Sequence, residues 1–490
     1  MNQKNLYRLI FPGFRFGKSD PELALKLAAS GVGGFCFYGG SAPEVRELSR
    51  LLKSASATPL LIAADYENGA GQHVSGATEL PPNMAIGASG REDLARRKGE
   101  ITALEARALG VDWVLAPVAD LAVRADNPIV NVRSFGADPN LAAGLGEAYI
   151  SGLSSQGVLS CLKHFPGHGD TASDSHLELP AVTKNLYALE QEELRPFRAL
   201  FRRADAVMAG HLLLPELDGN APASLSREVV SGLLRRKLGF QGAVITDALD
   251  MKAVSADPGA GVKALLAGVD ALLAPEDPAA LHAELQRAAE EGTITAAAAA
   301  AAIARLDALA RKLTPFRGLP APEDALRCGE HLAFGAEAAP SCLAWASTGR
   351  FSAKAGETLG YLEPLTARGD WKGGAFVSAL AELGVRVEPY QPGCGMRLAA
   401  ACFSRPRAGS GSINLSDEEW AALESAVAGA SESVLLAFGS PFVLEGLAPS
   451  AALCAFCALD DFQRAAAGVL AGTVRPGGTV PVKISMRGRK

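Results

Sequence analysis

The 490-residue chain is short of the features that would tie it to a membrane, a polyanion or an oxidising compartment. No apolar run is long enough to span a bilayer, and the N-terminus, MNQKNLYRLIFPGFRFGKSD, has no uninterrupted apolar stretch of signal-peptide length. That lack predicts no membrane association and a cytoplasmic protein. Positive charge is not in excess: 47 Lys and Arg stand against 53 Asp and Glu, a formal net charge of −6. A nucleic-acid partner held through its phosphates would favour a basic face, so a small or neutral ligand is expected instead. The eight cysteines (Cys36, Cys161, Cys328, Cys342, Cys394, Cys402, Cys454 and Cys457) sit mostly in apolar runs without disulfide-framework spacing, which fits a reducing compartment. Cys454 and Cys457 have CxxC spacing but no second pair or nearby histidine, so they read as buried thiols.

Length exceeds what one hydrophobic core supports, so two domains are expected. Short apolar runs, each followed by turn residues and an Ala/Leu/Glu/Arg-rich helical stretch, recur in the βαβα pattern of a parallel sheet. The candidate strands are Leu9 to Gly13, Gly34 to Phe37, Leu60 to Ala64, Trp113 to Pro117, Val158 to Leu162, Ala206 to Ala209, Ala243 to Thr246 and Ala271 to Ala274. Eight such units match a TIM (β/α)8-type barrel; a doubly wound sheet has fewer strands and often a Gly-rich phosphate turn after the first. The expected layout is a barrel over residues 1–315, a Pro- and charge-rich linker over 316–335 and a smaller α/β domain over 336–490. Within the latter, RPRAGSGSI after Phe403-Ser404 reads as a loop, and the closing MRGRK as a solvated tail.

Polar residues follow successive strands: Asp65 and Glu67 after the third, Asp120 after the fourth, the run KHFPGHGDTASDSH (Lys163 to His176) at the fifth, His211 after the sixth and Asp247 after the seventh. In a barrel these share the carboxyl-end rim, where ligands bind. Single residues of this kind are often helix caps, and Asp247 has Asp250 as a competitor for that duty. Five strands in a row are harder to explain as caps.

Within the fifth-strand run, Asp174 and His176 are two apart and lie on one side of an extended segment, so the carboxylate can orient the imidazole and raise its basicity. That makes a general acid/base near neutral pH. Asp247 opposite such a donor is the arrangement for retaining glycosidic cleavage, with the carboxylate as nucleophile. A metal is the rival use of His164, His168, Asp170, Asp174 and His176. Pro166 and Gly167 break the helix that would put His164 and His168 on one face, so no metal and no cofactor are expected.

The motif KHFPGHG, four residues, then DSH resembles the signature of family 3 glycoside hydrolases, in particular their β-N-acetylglucosaminidases. The similarity extends through DYENG at Asp65, APVADL at Ala116, NVRSFGADP at Asn131, MAGHLLLPELD at Met208, GFQGAVITDALDM and AGVDALLAP at Ala267. In the C-terminal part, SVLLAFGSPFVL and VLAGTVRPGGTVPVKI are similar to the α/β sandwich domain many members carry. The resemblance implies that Asp247 is the nucleophile, His176 the acid/base and Asp174 its orienting partner, while Asp65, Arg133, Lys163 and His164 match positions that hold the sugar's hydroxyls. It also implies a retaining exo-β-N-acetylglucosaminidase acting on terminal N-acetylglucosamine of small carbohydrates, peptidoglycan fragments among them. One departure is plain: where the family has DQEGGRVQR, this chain has DYENGAGQH, so Ala70 and His73 replace two arginines. His73 can donate a hydrogen bond to a sugar, but without arginine's permanent forked charge.

Three other readings share these residues. A neutral histidine beside the nucleophile repels phosphate less than a carboxylate does, which allows a phosphorylase, or another family 3 β-glycosidase. A metal-dependent hydrolase on the same barrel and a sugar-binding protein without turnover complete the set.

Overall fold

Runs of small and branched apolar residues become buried on both faces when they pair in parallel, and such runs frame the N-terminal part of this chain. The structure is a computed structural model and describes residues 3–173, 175, 177–316, 319, 323–364, 372–404 and 415–487. The first strand is Ile10–Phe11 continued as Gly13–Arg15 beyond Pro12. Proline has no N–H to give to a ladder, yet its carbonyl still accepts the Cys36 amide at 2.9 Å. Gly13–Arg15 pairs in parallel with the second strand, Gly34–Tyr38, then come the third, Leu61–Ala64, and the fourth, Trp113–Val114. A Trp113–Leu159 bridge leads to the fifth, Cys161–Phe165, which pairs with the sixth, Ala206–Ala209, and that with the seventh, Ala243–Thr246. An Ile245–Ala271 bridge leads to the eighth, Leu272–Leu273, which pairs with Ile10–Phe11. The circuit closes as the expected eight-stranded parallel barrel.

One expected strand is misplaced. The apolar run from Val158 to Leu162 suggested a strand ending before Lys163, whereas the strand runs Cys161–Phe165 and carries Lys163 and His164 inside it. The polar stretch therefore begins within the barrel wall, where its charges are buried against partners from neighbouring strands.

The opposite, amino-terminal ends of the strands carry structural ion pairs. Buried Asp270 is bridged by Arg235 and Arg305, each at 2.7 Å; Asp205 pairs with Lys312 at 2.6 Å and Arg8 with Asp307 at 2.7 Å. Arg305, Asp307 and Lys312 all belong to the helix Ala296–Lys312, so its alanine-rich start supplies propensity and its end supplies anchors.

By contacts the chain divides into two compact units, Met1–Leu80 with Ala95–Leu121 and Ala143–His331, and Pro81–Leu94 with Ala122–Ala142 and Leu332–Lys490. The second is built on a six-stranded sheet in the order Ala344–Trp345, Ala451–Cys454, Ser433–Gly439, Leu398–Ser404, Thr358–Leu362 and Arg386–Pro389. All neighbours are parallel except the edge pair of Ala344–Trp345 with Ala451–Cys454. The helices Gly374–Glu382 and Asp417–Gly429 lie in its crossovers, and Asp460–Ala471 follows its last strand, tied to the first of these helices by Gln463, whose side-chain oxygen accepts the Phe376 amide at 3.1 Å. Cys454 and Cys457 are both free and buried, and burial pushes the Cys454 thiol up. Residues 405–413, read above as a loop, and the last three of the MRGRK tail lie outside the described residues. Among the described residues no helix is long and apolar enough to cross a membrane.

Candidate active site

Main-chain hydrogen bonds beyond the strands continue the barrel into a rim. Leu115 donates to the Ala64 carbonyl, Ala119 to Lys163, Gly210 to Phe165 and Asp247 to Ala209, at 2.8 to 2.9 Å. These bonds bring Asp65, Asp120, His211 and Asp247, which follow the third, fourth, sixth and seventh strands, and His164 near the end of the fifth to one end of the barrel.

Lys163 is the buried cation of this rim. Its ammonium lies 2.7 Å from Asp65 and 2.6 Å from Glu67, with the Lys163 and Glu67 side chains only 2% and 3% exposed and that of Asp65 29% exposed. A buried ammonium needs such partners to offset its desolvation. Asp65 is thus oriented by charge while keeping an exposed edge, as a carboxylate that receives sugar hydroxyls should be.

His164 is oriented by Asp120. Asp120 Oδ2 accepts His164 Nδ1 at 2.7 Å, while Oδ1 accepts the main-chain amides of His164 at 3.0 Å and His168 at 2.8 Å. Burial alone raises the Asp120 carboxyl, but the charge and hydrogen bond of His164, with His168 behind, outweigh it and hold the group below the usual carboxylate range. A carboxylate only accepts, so Nδ1 carries the proton, and His164 Nε2 makes no hydrogen bond among the described residues. That nitrogen is the one available to a ligand.

His168 faces inward instead. Thr171 spends its hydroxyl proton on the His168 carbonyl at 3.0 Å, so its oxygen accepts His168 Nδ1–H at 2.8 Å. In the neutral ring Nε2 then accepts the Ser175 hydroxyl at 3.1 Å. Complete burial, followed by the neighbouring His164, pushes the His168 pKa down to about 4, which keeps this tautomer at neutral pH. Ser175, which stands between Asp174 and His176 in the sequence, is thus held by a buried, neutral histidine.

At the seventh strand, Asp247 Oδ1 accepts the amide of Ala248 at 2.8 Å. Neither it nor Asp250 caps a helix: the next helix, Lys252–Ser255, starts after Met251 without a side-chain cap. Asp250 pairs instead with Arg15 at 2.8 Å, and the Arg15 guanidinium lies 4.8 Å from the ring centre of Tyr38. Arg15 and Tyr38, at the ends of the first two strands, therefore add to a rim that strand-by-strand reading of polar residues began only at the third. Their signal in the sequence was weak, because the partners Arg15 and Asp250 are 235 positions apart.

His211 does not present a ring nitrogen as a sugar-binding residue would. It is fully buried, with Nδ1 2.7 Å from the Ser224 hydroxyl and Nε2 3.0 Å from the Ala248 carbonyl. His73 follows the turn Ala70–Gln72, half-buried. Arg133 ends the turn Asn131–Arg133 in the second contact unit, donating to the Ile129 carbonyl at 3.1 Å while its own carbonyl accepts Asn83 at 2.8 Å. Asp174 and His176 lie outside the described residues. Among the described residues no three His, Cys, Asp or Glu side chains are grouped as metal ligands, and the Nδ1 atoms of His164 and His168 are committed to Asp120 and Thr171. What the rim offers is a carboxylate held by an amide at one strand end and a carboxylate–ammonium–imidazole cluster two strands away, a set suited to binding hydroxyls and attacking an electrophilic carbon.

Comparison with known proteins gives consistent relatives. The family model described as Glycosyl hydrolase family 3 N terminal domain matches residues 3–309. The Beta-N-acetylglucosaminidase/beta-glucosidase of Cellulomonas fimi is 33% identical over 323 residues, 62% of this chain and 57% of that protein. Beta-hexosaminidase A of Pseudoalteromonas piscicida is 34% identical over 284 residues, 52% of this chain and 48% of that protein. The chain thus spans about half the length of these two relatives. The solved glycoside hydrolase family 3 beta-N-acetylglucosaminidase from Paenibacillus sp. str. FPU-7 superposes with a TM-score of 0.85 at 28% identity, covering 99% of both chains.

Proposed function

Because the chain belongs to glycosyl hydrolase family 3, we propose that it is a retaining exo-β-N-acetylglucosaminidase that removes terminal N-acetylglucosamine from small glycosides. The observation that carries this reading is Asp247, at the carboxyl end of the seventh barrel strand with its carboxylate fixed by the Ala248 amide, on the rim that also bears Lys163, Asp65 and His164. Asp247 attacks the anomeric carbon while His176, oriented by Asp174, protonates the departing glycosidic oxygen. His176 then takes a proton from water, which hydrolyses the glycosyl ester with net retention. Asp65, Lys163 and His164 hold the sugar's hydroxyls, with Arg133 and His73 as further contacts, and no metal or cofactor takes part. His211 is reassigned from sugar contact to support.

Peptidoglycan fragments are the substrate source and the cytoplasm the compartment in this reading. The family resemblance supports the first, and eight free cysteines support a reducing compartment. A panel of aryl N-acetylglucosaminide, glucoside and xyloside tests the substrate class: the N-acetylglucosaminide is expected to turn over fastest, and preference for glucoside overturns the assignment. Running the same reaction with phosphate tests the acceptor, with free N-acetylglucosamine expected and sugar 1-phosphate contradicting hydrolysis.

A further inference from the structure

We propose that His211 is a positioning residue for the nucleophile, acting through the main chain of Ala248 and not through the sugar. This rests on the assignment of Asp247 as the nucleophile. The Ala248 carbonyl can only accept, so His211 Nε2 carries the proton of the 3.0 Å bond, and in the neutral ring Nδ1 accepts the Ser224 hydroxyl at 2.7 Å. The amide of the same residue, Ala248, donates to Asp247 Oδ1 at 2.8 Å. A relay therefore runs from the Ser224 hydroxyl through the imidazole and one alanine to the carboxylate.

The surrounding bonds show why one side chain can matter here. The Asp247 amide is held by the Ala209 carbonyl and the Leu249 amide by the Leu273 carbonyl, each at 2.9 Å, so the segment is pinned to the sixth and eighth strands. Between those pins, His211 holds the carbonyl of the Ala248–Leu249 peptide, and with it the rotation about Ala248 that aims the Ala248 amide. That amide is a donor that orients the Asp247 carboxylate through Oδ1. Fully buried His211 leaves the end of the sixth strand two residues after Ala209, on the same stretch of chain that fixes the Asp247 amide. Residue 248 is alanine, so its only polar handles are main-chain atoms, and a side chain from outside must reach them.

The chemistry predicts which substitution tolerates loss of the ring. In His211→Gln the amide nitrogen stands where Nε2 stood and can still donate to the Ala248 carbonyl, whereas His211→Asn places its amide at the Nδ1 position and His211→Ala has no donor. Measured on an aryl N-acetylglucosaminide, His211→Ala and His211→Asn are expected to lower kcat by about 10²-fold, the scale of misplacing a reacting group by an ångström, with KM little changed. His211→Gln is expected to recover most of that loss. Ser224→Ala, which removes only the far end of the relay, is expected to give a smaller loss of kcat. Thermal melts of each variant show whether it folds, and Ser224→Ala tests the relay if the His211 variants do not fold. A raised KM at wild-type kcat in His211→Ala makes His211 a sugar contact and overturns the proposal, as does folded His211→Gln no better than His211→Ala, or Ser224→Ala with unchanged kcat. Asp247→Ala measured alongside separates the two levels: wild-type turnover there contradicts the nucleophile itself, whereas inactive Asp247→Ala with fully active His211→Ala contradicts only the relay.

Discussion

The ends of the fifth and seventh barrel strands hold their polar groups by different physics. At the fifth, side chain is matched to side chain and charge to charge: Lys163 between Asp65 and Glu67, and Asp120 gathering His164 and two amides. At the seventh, an amide meets Asp247 Oδ1, with a buried imidazole behind that amide's residue. A site that must recognise a neutral, many-hydroxyl ligand benefits from fixed charges that orient donors and acceptors, because charge-assisted hydrogen bonds are the stronger kind. A carboxylate that must attack carbon benefits from being aimed by an amide dipole, which orients it without neutralising it. Breaking the first arrangement should therefore cost stability and binding together, and breaking the second should cost rate.

The largest expected effect is at the seventh strand. Asp247→Ala should lower release of an aryl leaving group by about 10⁴-fold or more, the range found on removing a catalytic nucleophile, with the melting temperature little changed; steady-state rates and a thermal melt check both halves. His176→Ala should lose about 10² to 10⁴-fold, the contribution of a general acid, and less with an activated leaving group that needs no proton. Equal losses for good and poor leaving groups contradict the acid role.

At the fifth strand, Lys163→Met removes the ammonium from buried Glu67 and half-buried Asp65, which should cost about 3 to 5 kcal/mol of stability as well as kcat/KM. The double variant Lys163→Met with Glu67→Leu should recover stability without recovering activity. If it recovers both, the cluster is scaffold and the contrast between the two strand ends fails.

A smaller effect comes from His168. Its folded-state pKa, about 4, lies below the ordinary histidine value near 6.5, so as pH falls the unfolded chain takes up the proton first. The stability held by neutral His168 is complete above about pH 6.5 and is lost as pH falls through about 4, up to about 3 kcal/mol in all. Thermal melts between pH 4 and 7 should show a shallower slope in His168→Gln than in the wild type; parallel slopes contradict the buried neutral ring. The smallest expected effect is none at all: activity should survive a chelator, and restoration of a lost activity by zinc contradicts the metal-free site.

Much of this was legible in the sequence because parallel barrel strands are local apolar runs. The sixth and seventh strands, Ala206–Ala209 and Ala243–Thr246, lie where the runs placed them. The fifth did not, because Lys163 and His164 look like loop residues until Asp65, Glu67 and Asp120 from two other strands are seen to satisfy them. Arg15 and Tyr38 were missed, and Asp250 was read only as a possible helix cap, for the same reason: Arg15 and Asp250 are 235 positions apart and leave no local pattern. His211 shows the converse limit. Its position after the sixth strand marked it as a rim residue, but residue type could not say that its partners are a serine hydroxyl and the carbonyl of Ala248, the residue whose amide donates to Asp247.

The central claim is that Asp247 becomes covalently glycosylated. Incubating the enzyme with a fluorinated N-acetylglucosaminyl fluoride that slows hydrolysis of the intermediate, then digesting it and mapping the adduct by mass spectrometry, addresses this directly. The account predicts one N-acetylglucosaminyl-derived adduct on the peptide containing Asp247, absent from Asp247→Ala. An adduct on another residue, or no adduct while the fluoride is turned over with inversion, contradicts it.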